Sequence, residues 1–180
     1  MEKILSIVWH KVLPPMFGGQ KGIAYFNRHL SSRYPLVCLC SKNNKPIDDL
    51  PYKILPLLPD SKWQFINPFC WRKIKSVAKK EKVTHIILEY PYHAIAAMRS
   101  KRATHAKLIL HSHNIESERF RQMGKWWWKL LRVYEKWGLQ KADLLMVSRE
   151  DLKRDLGSFA PEAEVVPPPF RVSDYSLFPV

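Results

Sequence analysis

Cysteine is scarce: Cys38, Cys40 and Cys70 are the whole set in 180 residues, and an odd, uneven trio cannot build a disulfide framework. A reducing cytosol is the expected compartment. Glycine numbers only six, and no G-x-G-x-x-G or Walker pattern is present. There is no D-x-D pair either, so nothing calls for a metal-bound diphosphate. No apolar stretch reaches the ~20 residues of a membrane span, because Lys, Arg or Pro interrupts each one. Met1-Glu2-Lys3 leads into Ile4 to Trp9 without a small-residue cleavage site, which reads as a first strand rather than a signal peptide. Acids are few as well, 16 against 30 bases, for a net charge of +14. That surplus attracts polyanions, whether nucleic acid, acidic lipid headgroups or a diphosphate, and charge alone does not choose among them.

The chain that remains is 46% hydrophobic and carries seven Trp. It is long enough for one core and too short for two full domains. Lys3 to Trp9 is apolar at nearly every position, the pattern of a parallel strand buried on both faces, and is expected to lie at the centre of a sheet. Gln20 to Ser32 places Ile23, Phe26 and Leu30 at helical spacing, with Gly19 and Gly22 allowing close backbone approach. Leu36 to Cys40 and Tyr52 to Leu58 read as strands, the latter interrupted by Pro56. Asn67-Pro68 opens a helix whose apolar face is Phe69, Ile74, Val77 and Ala78. His85 to Glu89 and Lys107 to His111 are further strands, with a short segment of helical character, Tyr92 to Lys101, between them. Lys125 to Lys141 is the clearest helix, striped by Trp127, Leu130, Leu131, Tyr134 and Trp137. Asp143 to Val147 is a strand, Ser148-Arg149-Glu150-Asp151 a capping box for a helix to about Leu156, and Glu164 to Val166 a last strand before Pro167-Pro168-Pro169.

Alternating strands and helices imply a Rossmann-like, doubly wound and mostly parallel α/β sheet in a single domain over residues 1–166, with 167–180 as a linker or tail. Ligands of such sheets sit beyond the carboxyl ends of the strands. Three segments qualify: His10 to Gly19, Glu89 to His93, and His111 to Phe120. In the first, Pro14-Pro15 and Gly18-Gly19-Gln20 feed a helix N-terminus, whose free N–H groups favour a phosphate. The competing reading is an ordinary loop whose glycines only permit positive φ. In the third, His111 and His113 resemble half of a metal site, but no third ligand lies nearby in sequence, so no metal is expected. A base or donor-binding histidine suits that strand end better, beside loop histidines that merely bond backbone. Glu89 is placed to orient an acceptor hydroxyl or to act as a local cap. One helix stripe cannot bury Trp126, Trp127 and Trp128 together, so one faces solvent, a partner domain or lipid.

In order and spacing, these pieces resemble the N-terminal domain of family 4 glycosyltransferases of the GT-B type. The pieces are Pro-Pro and Gly18-Gly19-Gln20 after the first strand, His113-Asn114-Ile115-Glu116 after another, the Trp-rich helix, Ala142-Asp143-Leu144, Ser148 with Asp151, and Val165-Val166-Pro167. The resemblance implies a retaining, metal-independent hexosyl transferase of two domains, with a nucleotide-diphosphate sugar as donor and no other cofactor. Gly18, Gly19 and Gln20 would approach the donor diphosphate and His113 would stand beside the transferred sugar as the catalytic residue. His10, Glu89, His93, Asn114 and Glu116 would line the acceptor side of the crevice. Similar proteins continue from Val-Pro into Asn-Gly and a second domain with basic residues and paired glutamates. Here Pro167-Pro168-Pro169-Phe170 departs from that pattern, which suggests a truncated gene product or one part of a split enzyme, inactive alone and completed by a C-terminal domain or partner subunit. The expected acceptor is a sugar, such as a lipid-linked or cell-envelope glycan precursor.

Two other function classes remain in view. A peripheral membrane-binding or scaffolding module on the same fold would use the basic surface and Trp126 to Trp128 on an anionic membrane at the inner, cytoplasmic face. Nucleic-acid binding rests on charge alone, with no recognisable motif, so no specific nucleic-acid partner is expected.

Overall fold

A computed structural model describes residues 2–47 and 49–147, with the short pieces 155–156 and 164–165. The expected capping box at Ser148 to Asp151 and the tail from Pro167 lie outside the described residues. Strands β1 (Ile4–Val8), β2 (Leu36–Ser41), β3 (Lys53–Leu58), β4 (His85–Glu89), β5 (Lys107–Ser112), β6 (Leu144–Val147) and β7 (Glu164–Val165) form one sheet in the order β3-β2-β1-β4-β5-β6-β7. Every pairing is parallel. The helices are α1 (Gly18–Ser31), α2 (Pro68–Lys80), α3 (Ala94–Thr104), α4 (Glu116–Gln122) and α5 (Trp128–Lys141).

As its composition predicts, β1 is interior, paired on both sides and buried at all five positions. Its alternate side chains feed two cores. Leu5 and Ile7 pack with Ile74 of α2 and Ala97 of α3, while Ile4 and Val8 pack with Ile23 and Phe26 of α1. Each such fully buried side chain stabilises by about 1.5–3 kcal/mol. β3 is an edge strand, which is where Pro56 is tolerated, and β2 shifts register beside it between Cys40 and Ser41.

Some expected faces turn out differently. Phe69 is 75% exposed, because the buried stripe of α2 is Cys70, Ile74, Val77 and Ala78 and Phe69 lies a full 100° step off it. On α5 the buried positions are Glu135, Gly138 and Leu139, whereas Leu130 and Trp137 of the expected stripe are exposed. Gly138 sets this rotation: a methyl there would stand 3.0 Å from the Ala94 Cβ of α3. α5 also starts at Trp128, and the segment expected as a loop after His111 contains α4.

The strand order reverses between β1 and β4, whose successors in sequence cross to opposite sides. At such a switch point the loops diverge and leave a crevice at the carboxyl edge of the sheet.

Candidate functional site

The polar residues at the carboxyl edge of the sheet come from the ends of β1, β4 and β5. Glu89 follows Ile87 by two and His111 follows Ile109 by two, and both apolar residues belong to the core under α1. Strand alternation therefore aims the two polar side chains at that same face. Glu89 and His111 are direct register partners. The Glu89 Oε2 lies 3.0 Å from His111 Nδ1 and 2.7 Å from His113 Nε2. The two imidazole centroids are 4.1 Å apart, and the Tyr90 ring covers His113 at 4.7 Å.

Burial opposes the charge on Glu89, but His111 and His113 outweigh it and hold the carboxyl down at about 2. Glu89 is therefore a carboxylate, and its Oε2, 2.7 Å from His113 Nε2, fixes the orientation of that ring. His113 is the member that reaches the surface, with 17% of its side chain accessible against none for Glu89. A partly exposed imidazole held by a buried carboxylate suits proton transfer or hydrogen bonding to a bound ligand. His10 packs near the same cluster through Tyr90, at 5.5 Å between rings. Burial first and the His113 charge second lower its pKa to about 4, against the pull of Glu89.

Gly18 and Gly19 begin α1, also at the carboxyl edge, and both are exposed. Neither has a positive φ, and a Cβ on either would meet nothing within 4 Å among the described residues. The same is true of Gly22, so its expected close approach is absent. What the glycines leave is unobstructed room before the first turn. Gln20 folds back and accepts the Met16 and Phe17 N–H groups at 2.8 and 3.2 Å. It caps the helix from inside.

The remaining expected crevice residues are not gathered into this cluster. His93 is buried, its Nε2 3.0 Å from Gln64 Oε1 and its ring against Phe65. Gln64 in turn donates to the Trp9 carbonyl at 3.2 Å. Burial alone lowers the pKa of His93 to about 4. Glu116 is fully buried and bonded to the Tyr92 hydroxyl, with Arg119 at 3.3 Å. Asn114 is exposed, and its backbone carbonyl accepts from Ser112. Trp126 is 81% exposed, while Trp127 and Trp128 are half-buried, Trp127 against Phe120.

Several contributors had no sequence signal. Tyr90 adopts φ 71 and ψ 154, a region that costs a non-glycine residue about 1–3 kcal/mol, and this turn carries its ring onto His113. Asn44, 3% exposed, accepts from the Val12 and Leu13 N–H groups at 2.7 and 2.9 Å and donates to the His10 carbonyl, clamping the loop after β1. Glu135 accepts from the first N–H groups of α4, those of Glu116 and Ser117. His111 carried a signal, its alternation with His113, but its carboxylate partner lies on another strand.

Residues 18–173 match the family model of Glycosyltransferase Family 4. No curated protein sequence is significantly similar to the chain. Among solved structures, sucrose-phosphate synthase from Thermosynechococcus elongatus superposes with a TM-score of 0.74 at 16% identity, over 93% of this chain and 48% of that one. UGT2 of Phytolacca americana, complexed with UDP-2fluoro-glucose and pterostilbene, gives 0.59 at 14% identity, over 97% and 56%. The Anabaena protein HepE, in complex with UDP and glucose, gives 0.61 at 12% identity, over 94% and 46%. These likenesses are to the GT-B fold, and the chain spans about half the length of these three structures.

Proposed function

We propose, from the premise that the chain belongs to glycosyltransferase family 4, that it is the acceptor-side half of a retaining transferase using a nucleotide-diphosphate sugar. The observation that carries this reading is the coverage of about half of each GT-B structure, which leaves a donor-binding half to another domain or subunit. His113, held by Glu89, stands beside the transferred sugar and is the catalytic residue. The open turn at Gly18 and Gly19 admits the donor diphosphate.

Alone, the chain should bind donors weakly and turn nothing over, because transfer needs reacting groups held closely and shielded from water. Calorimetry with uridine and guanosine diphosphate sugars, with a nucleotide-release assay on the 180-residue chain, tests this. Tight binding with robust turnover by the monomer would sink the reading of the chain as a half.

A second reading is favoured by a separate surface. Trp126, in the turn just before α5, and Leu130 and Val133 on that helix are 81%, 69% and 72% exposed, beside Lys125, Lys129 and Arg132. An apolar stripe flanked by cations suits an anionic membrane interface. It favours a peripheral cytoplasmic protein, either a scaffold or a transferase acting on a lipid-linked or cell-envelope precursor. Vesicles with and without acidic lipid decide it. Binding only to acidic vesicles, lost in Trp126→Ser with Leu130→Ser, is expected. Equal binding by that variant would remove the membrane role from this helix.

A further inference from the structure

We propose that Glu89, His111 and His113 form a binding site for a single zinc-type divalent cation. In sequence the His-x-His pair lacked a third ligand, and the sheet supplies it from the neighbouring strand, 24 residues before His113. A carboxylate oxygen and one nitrogen from each ring lie within 4.8 Å of one another. Zinc bonds of about 2.0–2.2 Å in a tetrahedron place ligand atoms roughly 3.3–3.5 Å apart. The 3.0 and 2.7 Å separations from Glu89 Oε2 to His111 Nδ1 and His113 Nε2 would thus have to widen by roughly 0.3–0.8 Å, a change that rotation of the carboxylate and the rings can supply.

The cluster is also unfinished as a hydrogen-bonded network. Among the described residues, Glu89 Oε1 and both ring nitrogens of His111 are buried with no hydrogen-bond partner, although His111 Nδ1 sits 3.0 Å from the carboxylate. The nitrogen is near Oε2 but misaligned with it for an N–H bond, and buried groups of this kind are costly unless something else satisfies them. A cation between them would do so. Two imidazoles and one carboxylate select zinc, cobalt or nickel over magnesium and calcium, which prefer all-oxygen shells. The accessible side of His113 leaves the fourth position to water.

The binding itself does not depend on the transferase reading. One consequence does: metal on His113 would withdraw that ring from the crevice, so in the assembled transferase zinc should inhibit.

The test is zinc and cobalt titration of the purified 180-residue chain, by calorimetry and by visible absorption. One equivalent of cobalt should bind with a four- or five-coordinate spectrum and no sulfur-to-cobalt charge-transfer band, which separates this site from Cys38, Cys40 and Cys70. Glu89→Gln and His113→Asn, the latter at a partly exposed ring, should each weaken binding more than roughly tenfold, with circular dichroism confirming the fold. His105→Asn, at an exposed histidine, should bind as the parent does. Absence of saturable binding by the folded parent, a thiolate band, or undiminished affinity in folded Glu89→Gln and His113→Asn would each overturn the site.

Discussion

Glu89 and His93 leave one strand four residues apart, and both sit at the carboxyl edge of the sheet, yet they serve opposite sides of it. Glu89 lies on the α1 side, where it joins His111 and His113 in a charged cluster with unpartnered atoms and a path to the surface. His93 is enclosed by Phe65 and Gln64, and burial works against its charge. The lesson is that position at a strand end nominates a residue, while the side of the sheet decides whether it meets ligand or core. A polar side chain stays reactive only where a second charge offsets its desolvation.

The contrast is most sharply tested by activity. In the assembled transferase His113→Ala should lower kcat/KM by about 10²–10⁴-fold, the usual worth of a positioned proton-transfer group, whereas His93→Gln should leave it within a few fold. Comparable losses in both, from initial rates at several donor concentrations, would erase the distinction between the two sides.

The pH dependence of stability isolates the buried histidine. The pKa of His93 falls from 6.5 to about 4 on folding, so the unfolded chain binds the proton more readily. The contribution of neutral His93 is present above pH 6.5 and is lost as the pH falls towards 4, with an upper bound of roughly 3 kcal/mol. Urea midpoints measured across that range should converge between parent and His93→Gln from the high-pH side. Parallel curves would mean that this ring titrates as freely as an exposed one.

Smaller effects follow from the bridging groups. Gln64→Ala strands both His93 Nε2 and the Trp9 carbonyl and should cost about 2 kcal/mol in equilibrium unfolding; a neutral outcome would show that water replaces the bridge. Tyr90→Gly removes a ring but relieves its left-handed backbone, so the net loss should stay under about 1 kcal/mol. The same change at buried Tyr92 should cost more than about 3 kcal/mol. Equal losses at the two tyrosines would remove the strain argument.

The sequence by itself determined the alternation of elements, the central burial of β1 and the strand-end placement of Gly18, Glu89 and His113, because these depend on local apolar periodicity and on the few topologies open to parallel sheets. The family was legible in the order of short pieces for the same reason. Which face of α5 turns inward depended on one close approach, Gly138 against Ala94, and no periodicity encodes a neighbour's Cβ. The pairing of Glu89 with His111 required the register between two strands separated by a helix, and the capping of α4 by Glu135 required two helices to meet. Only tertiary structure decides contacts of that kind, since distance along the chain carries no information about which side chains a sheet sets side by side.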